Sequence, residues 1–291
     1  MNKQEMVNKQ AYDFDDVVEI MRFLRSDEGC PWDRKQTHQS IRSNLIEEAY
    51  ETLEALDSGD PKAFLDELGD LLLQVVFHAQ MAAEAGKFTI DDVLSNLGHK
   101  LVTRHTHLFG DDRADSAETA LRTWDQNKYK EKGFTSETDA LREVSHDLPA
   151  LSRSDKVQKR AAKVGFDWPD INGPRQKIRE EMDEFDEALD EYRALGEVAD
   201  EPNETDMNTE REKAFLHIEE EAGDILFALG NYFRHLKIQP EIALTRTTDK
   251  FIVRFDAMEK LIREDGKTSR DLDTDELNEY YYKAKDVLGH K

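Results

Sequence analysis

Glu48 and Glu51 stand three residues apart, and Glu67 and Asp70 repeat that spacing after a gap of 16 positions from Glu51 to Glu67. The same set returns as Glu181 and Glu184, then Glu221 and Asp224, with a gap of 37 from Glu184 to Glu221. Residues three apart on a helix face the same way, so two antiparallel helices can aim four carboxylates at one point. Left uncompensated, those groups repel and raise one another's pKa. A hard divalent cation resolves the conflict. Mg²⁺ takes oxygen ligands and keeps positions open for phosphate oxygens, and Mn²⁺ is the expected substitute. Each copy also carries a glycine directly before the aspartate, Gly69 and Gly223. A mid-helix glycine costs about 1 kcal/mol relative to alanine, which implies that a helix or a ligand approaches the backbone there.

Cations and aromatics follow in the same order in both copies. Lys100 and Arg104 match Lys250 and Arg254, each pair one helical turn apart. Trp124 precedes Lys128 by four residues, and Tyr281 precedes Lys285 by four. Carboxylates, then cations, then an aromatic beside a cation is the set that a metal-bound polyphosphate carrying a base requires. A single acidic cluster on a helix is more often a solvated face than a site. Two ordered copies, each followed by the same cations and aromatic, outweigh that plain alternative.

The elements that must hold these groups read as helices. Val17, Ile20, Met21 and Leu24 form one apolar stripe, Leu45, Ala49, Leu53 and Leu56 a second, and Leu65, Leu68, Leu72, Val75 and Ala79 a third. Ser58-Gly59-Asp60-Pro61 separates the second from the third. Thr89-Ile90-Asp91-Asp92 starts another helix, with aspartates at the positive end of its dipole. This helix is expected to run toward Phe109-Gly110, and another to cover about 117–132. A basic helix is expected from about Pro149. The second half shows helical pattern at about 174–195, 214–237, 240–264 and 273–287. Between the first two of these lies Gly196 to Glu212, with seven acidic residues and one arginine, expected as a flexible loop. No alternating strand stands out, so the class is all-α. The domains are expected at 1–135 and 171–291, with 136–170 as a connector containing the basic helix.

Composition narrows the classes of function. The 291 residues carry a formal net charge of −24, which repels nucleic-acid backbones and leaves a small anionic ligand dependent on a bridging cation. Cys30 stands alone, so no internal disulfide forms, as suits a reducing compartment. The N-terminal stretch is polar, and no run approaches 18 apolar residues. A cytoplasmic protein with no membrane span is expected.

The carboxylate pattern is joined by "GCPWD" at Gly29–Asp33, "RHTHLFGD" at Arg104–Asp111 and "LPALSRSDKVQKRAAKVGFDW" at Leu148–Trp168. With them the chain resembles the MazG family of the all-α NTP pyrophosphatases, whose signature is EExxE, a spacer and ExxD. The resemblance covers nearly the whole chain. It implies tandem MazG-like domains of four-helix type, with sites between antiparallel helices, and a homodimer. It implies Mg²⁺-dependent hydrolysis of NTPs and dNTPs to monophosphate and pyrophosphate, serving to cleanse or regulate the nucleotide pool. Carried over residue by residue, the metal ligands are Glu181, Glu184, Glu221 and Asp224 in the second copy, and Glu48, Glu51, Glu67 and Asp70 in the first. In the catalytic half of the family a lysine precedes the second glutamate of the leading pair by four. Lys177 holds that place before Glu181, whereas Asn44 precedes Glu48.

The second copy is therefore the expected catalytic half, with Lys177, Glu181 and Glu184 at its centre. Lys177, Lys250 and Arg254 would hold phosphate oxygens, and Tyr281 with Lys285 would flank the base. Lys100, Arg104 and Trp124 are the counterparts in the first half. Water oriented by the cation or a carboxylate would attack the α-phosphorus in line with the departing pyrophosphate. The competing function is a non-catalytic nucleotide- or protein-binding regulator on the same scaffold. His105 and His107 are two apart, which does not match helical metal spacing. Ser145-His146-Asp147 and Glu143–His146 lack the partner motifs that phosphohydrolase or di-metal chemistry needs.

Overall fold

The structure, a computed structural model, describes residues 3–195 and 205–289. Its helices in chain order are α1 (Lys3–Asn8), α2 (Phe14–Leu24), α3 (Pro31–Lys35), α4 (Arg42–Ser58), α5 (Pro61–Glu84), α6 (Ile90–Arg104) and α7 (Thr106–Phe109). They continue as α8 (Ala117–Glu131), α9 (Glu137–Arg142), α10 (Ala150–Lys163), α11 (Asn172–Ala194), α12 (Thr205–His235), α13 (Pro240–Glu264) and α14 (Thr274–Val287). No strand occurs among the described residues, and the all-α class holds. No helix among them is long and apolar enough to cross a membrane.

Local chemistry sets the boundaries. Helix α4 stops at Gly59, which adopts φ 70°, a left-handed conformation that glycine reaches without steric cost. Asp60 then caps α5 through Lys62 N, with Pro61 at the first helical position, where its missing N–H costs nothing. Thr89 and Asp92 close a reciprocal capping box at the start of α6, and Asp273 and Glu276 do so at α14.

Three sequence expectations change. The helix that starts at Thr89 ends at Arg104, and α7 follows as a separate turn, because Leu108 N and Phe109 N both bond the carbonyl of His105 at the break. The short helices α1, α3 and α9 were not anticipated, being too short to show a periodic stripe. Much of the expected 196–212 loop is helical: α12 begins at Thr205. Arg211 lies 4.5 Å from the Tyr192 ring centroid and Phe215 packs on that ring at 6.0 Å, so the N-terminal part of α12 is held along α11. The rest of that expectation, 196–204, falls outside the described residues.

The chain divides into two compact units, Met1–Lys132 and Gly133–Lys291. In the first, α4 and α5 form an antiparallel pair, α2 packs on α5, and α6 joins α5 to α8. Its core is Met21, Ile41, Val76, Phe77 and Met81. In the second, α11 and α12 form the corresponding pair, α10 packs on α12 and α13, and α13 joins α14. Met258, Ile262, Tyr280 and Ala284 form the core between those last two.

Candidate metal and phosphate site

In the first unit the turn at 58–60 folds α5 back along α4, and Thr52 Oγ1 lies 3.3 Å from the carbonyl of Glu67. That register brings oxygens of Glu48, Glu67 and Asp70 within 4.8 Å of one another. Burial pushes the Glu48 carboxyl up from the ordinary range, and Asp70, Glu51, Glu67 and Glu47 push it further. Burial also raises Glu67, followed by the charges of Glu51 and Asp70. Glu51 stands outside the convergent trio but within its field.

The second unit repeats the arrangement with a different member left out. Oxygens of Glu181, Glu184 and Glu221 lie within 4.8 Å of one another. Asp224 is outside this trio and lines a cavity together with Lys177 and Glu181. Lys177 Nζ sits 2.7 Å from Glu180, 2.8 Å from Glu181 and 3.9 Å from Glu184. Its ammonium is held above its ordinary pKa, first by the hydrogen bonds to Glu180 and Glu181. Glu184 is raised by the neighbouring Glu181 carboxyl and by burial, with Lys177 acting against both. Lys177 is therefore an internal counter-ion of the cluster. Glu180, a leading glutamate with no assigned role in the sequence pattern, holds its far side.

Two further partners carry no motif. His217 Nε2 lies 3.3 Å from Glu221, one turn away on α12. Gln74 Nε2 lies 3.5 Å from Glu48 in the first unit, at the outer limit of a hydrogen bond. The signal for both is spacing alone: each sits four residues from a predicted ligand, on the same helix face.

The predicted cations and aromatics form clusters of their own. Arg104 donates to Glu131 at 2.8 and 3.0 Å and lies 5.2 Å from the Trp124 ring centroid, with Lys128 5.6 Å from that ring. Lys100 also acts on Glu131. In the second unit Lys250 is exposed and Arg254 half-buried, its Nε enclosed without a hydrogen-bond partner. Tyr281 packs on Phe251 at 5.8 Å, and Lys285 lies over Tyr282 rather than Tyr281. The mid-helix glycines are open within the chain: a Cβ at Gly69 or Gly223 meets nothing within 4 Å.

The remaining motifs build loops. At "GCPWD" a Cβ on Gly29 would stand 2.2 Å from the Phe23 carbonyl, so only glycine fits. Arg25 closes that loop by donating to the carbonyls of Asp33 and Gln36. At "GFDW" Asp167 is held by Arg234 and by His235 at 3.1 Å, and the Arg234 hydrogen bond keeps its carboxyl below the ordinary range. Asn127 donates to Thr106 at 2.7 Å within the "RHTH" segment, and the His105 ring bonds the Leu101 carbonyl at 2.6 Å.

A family model described as the MazG nucleotide pyrophosphohydrolase domain matches residues 36–109, which contain the first carboxylate set. Over 272 residues the chain is 44% identical to the nucleoside triphosphate pyrophosphohydrolase/pyrophosphatase MazG of Thermotoga maritima, covering 94% of this chain and 95% of that protein. It is 38% identical over 272 residues to the nucleoside triphosphate pyrophosphohydrolase of Escherichia coli K12, covering 93% and 96%. A Bacillus subtilis protein, the uncharacterized YabN, is 42% identical over 276 residues, which span 95% of this chain and 52% of that one.

Proposed function

This chain belongs to the MazG family, and from that premise we propose that it hydrolyses nucleoside triphosphates, NTPs and dNTPs alike, to a monophosphate and pyrophosphate. The observation that carries the proposal is the double convergence of three carboxylates within 4.8 Å, Glu48, Glu67 and Asp70 in the first unit and Glu181, Glu184 and Glu221 in the second.

The donor set fits a hard divalent cation. It consists of carboxylate oxygens alone, Glu221 Oε2 is buried without a hydrogen-bond partner, burial and then the neighbouring carboxylates raise Glu48 and Glu67, and the Glu181 carboxyl raises Glu184. Glu181, Glu184 and Glu221 would hold Mg²⁺, or Mn²⁺ in its place, with Asp224 at the cavity side. Glu48, Glu67 and Asp70 would do so in the first unit, with Glu51 beside them. Such a cation supplies neutralisation of triphosphate charge. The chain supplies the rest. Lys177 turns from Glu180 and Glu181 toward the phosphates and meets the charge that builds on the departing pyrophosphate. A carboxylate of the cluster orients the attacking water and takes its proton. Lys250 and Arg254 bind phosphate oxygens.

We infer a homodimer as the working form. Leu45, Leu53, Leu68 and Leu72 on α4 and α5 are exposed, as are Leu226 and Phe227 on α12. Apolar side chains repeated along the carboxylate-bearing helices form the kind of face that a partner covers. The open faces of Gly69 and Gly223 permit close approach there. Sedimentation should give twice the 33.7 kDa chain mass. The activity test is incubation with an NTP and Mg²⁺. Monophosphate and pyrophosphate should appear and EDTA should stop the reaction; diphosphate and inorganic phosphate, or no turnover, would count against the assignment.

A further inference from the structure

We propose that His38 and His78 form a proton-operated latch in the first unit, which holds the segment before α4 against α5 at neutral pH and releases it in mild acid. The proposal stands apart from the catalytic reading above, since neither histidine belongs to the carboxylate set. The two Nδ1 atoms lie 2.8 Å apart. The ring planes are parallel within 3°, and their centroids are 5.1 Å apart. The centroid separation exceeds the nitrogen separation by about twice the radius of an imidazole ring. The rings therefore lie end to end with their nitrogens aimed at each other, which is the geometry of an N–H···N hydrogen bond. A metal ion in line between two such nitrogens needs about 4 Å, from two bonds of about 2.0–2.1 Å. The gap suits a proton instead.

The surroundings decide which ring donates. His78 Nε2 is buried without a hydrogen-bond partner, whereas His38 is exposed. A neutral imidazole carries one N–H. On His78 Nε2 that hydrogen would be a buried donor with nothing to bond, which is costly. His78 therefore donates through Nδ1 to Nδ1 of His38, and His38 keeps its own N–H at Nε2, in water. A further proton breaks this arrangement. Added to His38 Nδ1, it either faces the His78 hydrogen or drives it to the partnerless Nε2. Added to His78 Nε2, it places a charged donor in that same buried position. Burial, followed by the charge of His38, lowers the His78 pKa from its ordinary 6.5. The stabilisation is thus full above 6.5 and is lost as pH falls through the lower native value.

Charge on the neighbouring elements is engaged elsewhere. On α2, Arg25 pairs with Glu84 of α5 at 2.7 Å and Arg22 pairs with Glu19. On α3, Arg34 pairs with Asp27 at 2.6 Å, and Lys35 ends that helix. On α4, Arg42 opens the helix and Glu48 meets Gln74 at 3.5 Å. On α6, Asp92 caps its own helix start and Arg104 pairs with Glu131. The positions three and four away from His78 on α5 are Gln74, Val75, Met81 and Ala82, none of them ionisable. The segment that His38 ties down turns on its own hydrogen bonds, from Thr37 N to Ser40 Oγ at 2.9 Å and from Ser40 N to Thr37 Oγ1 at 3.1 Å. Ile41, 2% exposed, roots its end in the core with Val76 and Phe77. Helix α4 follows directly and carries Glu48. Opening the latch loosens the entry to a carboxylate-bearing helix while the core stays packed.

The test is hydrogen exchange of the full-length protein at pH 7.5 and 5.5, read by mass spectrometry over peptides spanning 36–42 and corrected for the chemical exchange rate at each pH. In wild type this segment should exchange at least about fivefold faster at pH 5.5, while α2 changes by less than about twofold. His38→Ala should exchange at the fast rate at both pH values. His38→Asn puts Oδ1 where Nδ1 stood, an acceptor for His78 at either pH, and should stay slow at pH 5.5. Nitrogen-15 spectra of the wild-type imidazoles at pH 7.5 should show His78 protonated at Nδ1 and bare at Nε2. A His78 proton at Nε2 overturns the latch without recourse to any variant. Equal protection of the wild-type segment at both pH values also overturns it, as does an undiminished acid effect in His38→Ala.

Discussion

Replacing Lys177 with methionine keeps most of the side-chain length and removes the charge that balances the second carboxylate cluster. The ammonium is 2.8 Å from Glu181, and that glutamate is 6% exposed. Breaking a buried ion pair by removing one partner costs about 3–5 kcal/mol. The Lys177 side chain is itself 35% exposed, so water screens part of the interaction, and about 2 kcal/mol is expected. For a unit the size of 133–291, each kcal/mol moves the melting midpoint by about 2–4 °C, which predicts a drop of about 4–8 °C in EDTA. Metal changes the sign of the comparison. Without the competing ammonium the variant's carboxylates bind Mg²⁺ more tightly, so Mg²⁺ raises its midpoint by more than that of wild type. Turnover falls by about a hundredfold, because the charge on the departing pyrophosphate loses its donor. Calorimetric melting in EDTA and across an Mg²⁺ titration, with a pyrophosphate-release assay alongside, reads all three quantities. An unchanged midpoint in EDTA, or weaker Mg²⁺ binding by the variant, would refute Lys177 as the internal counter-ion.

The ligands are tested by Glu181→Gln and Asp224→Asn, each of which should abolish pyrophosphate release while circular dichroism shows unchanged helical content. In the first unit, Asn44→Lys places an ammonium four residues before Glu48 and should stabilise the metal-free protein by about 0.5 kcal/mol, seen as a higher midpoint in EDTA that Mg²⁺ diminishes. Acid stability follows from Asp167 and Glu84, whose carboxyls are lowered by hydrogen bonds from Arg234 and Arg25. Their stabilisation is full above the ordinary values of 3.8 and 4.5 and is lost as pH falls through the lower native ones. Asp167→Asn should therefore cost about 2 kcal/mol at pH 7 and show a shallower loss below pH 4 than wild type, measured by urea unfolding across pH.

Much of the architecture was legible because it is encoded locally. A three-residue spacing places Glu48 with Glu51, or Glu221 with Asp224, whatever surrounds the helix. Thr89 with Asp92, and Gly59-Asp60-Pro61, mark ends through their own hydrogen bonds and dihedral limits. The acidic run near Thr205 misled for the opposite reason: its helix is held by Tyr192, Arg211 and Phe215, contacts that composition does not reveal. Which carboxylates converge was likewise hidden. It depends on the sliding register of two helices, and Glu51 falls outside one trio while Asp224 falls outside the other. Lys177 was identified by position, but its bonds to Glu180 and Glu181 make it a counter-ion before any substrate arrives.

The comparison that matters most was present in the sequence and could not be weighted there. Phe77 and Asn231 occupy equal distances from their glutamates, as Arg25 and Ala161 do from their glycines. One-dimensional reading treats such differences as ordinary drift between repeats, while the carboxylates, which match in both copies, draw the attention. Packing reverses the weighting. Charge clusters of similar composition sit in both units while the side chains around them differ: Lys177 stands inside the second cluster where the first has Asn44, and the Arg25 guanidinium lies over Phe77 where the second unit has Ala161 and Asn231. A duplicated helical pair can in this way keep its carboxylates in both copies while the positions around them diverge.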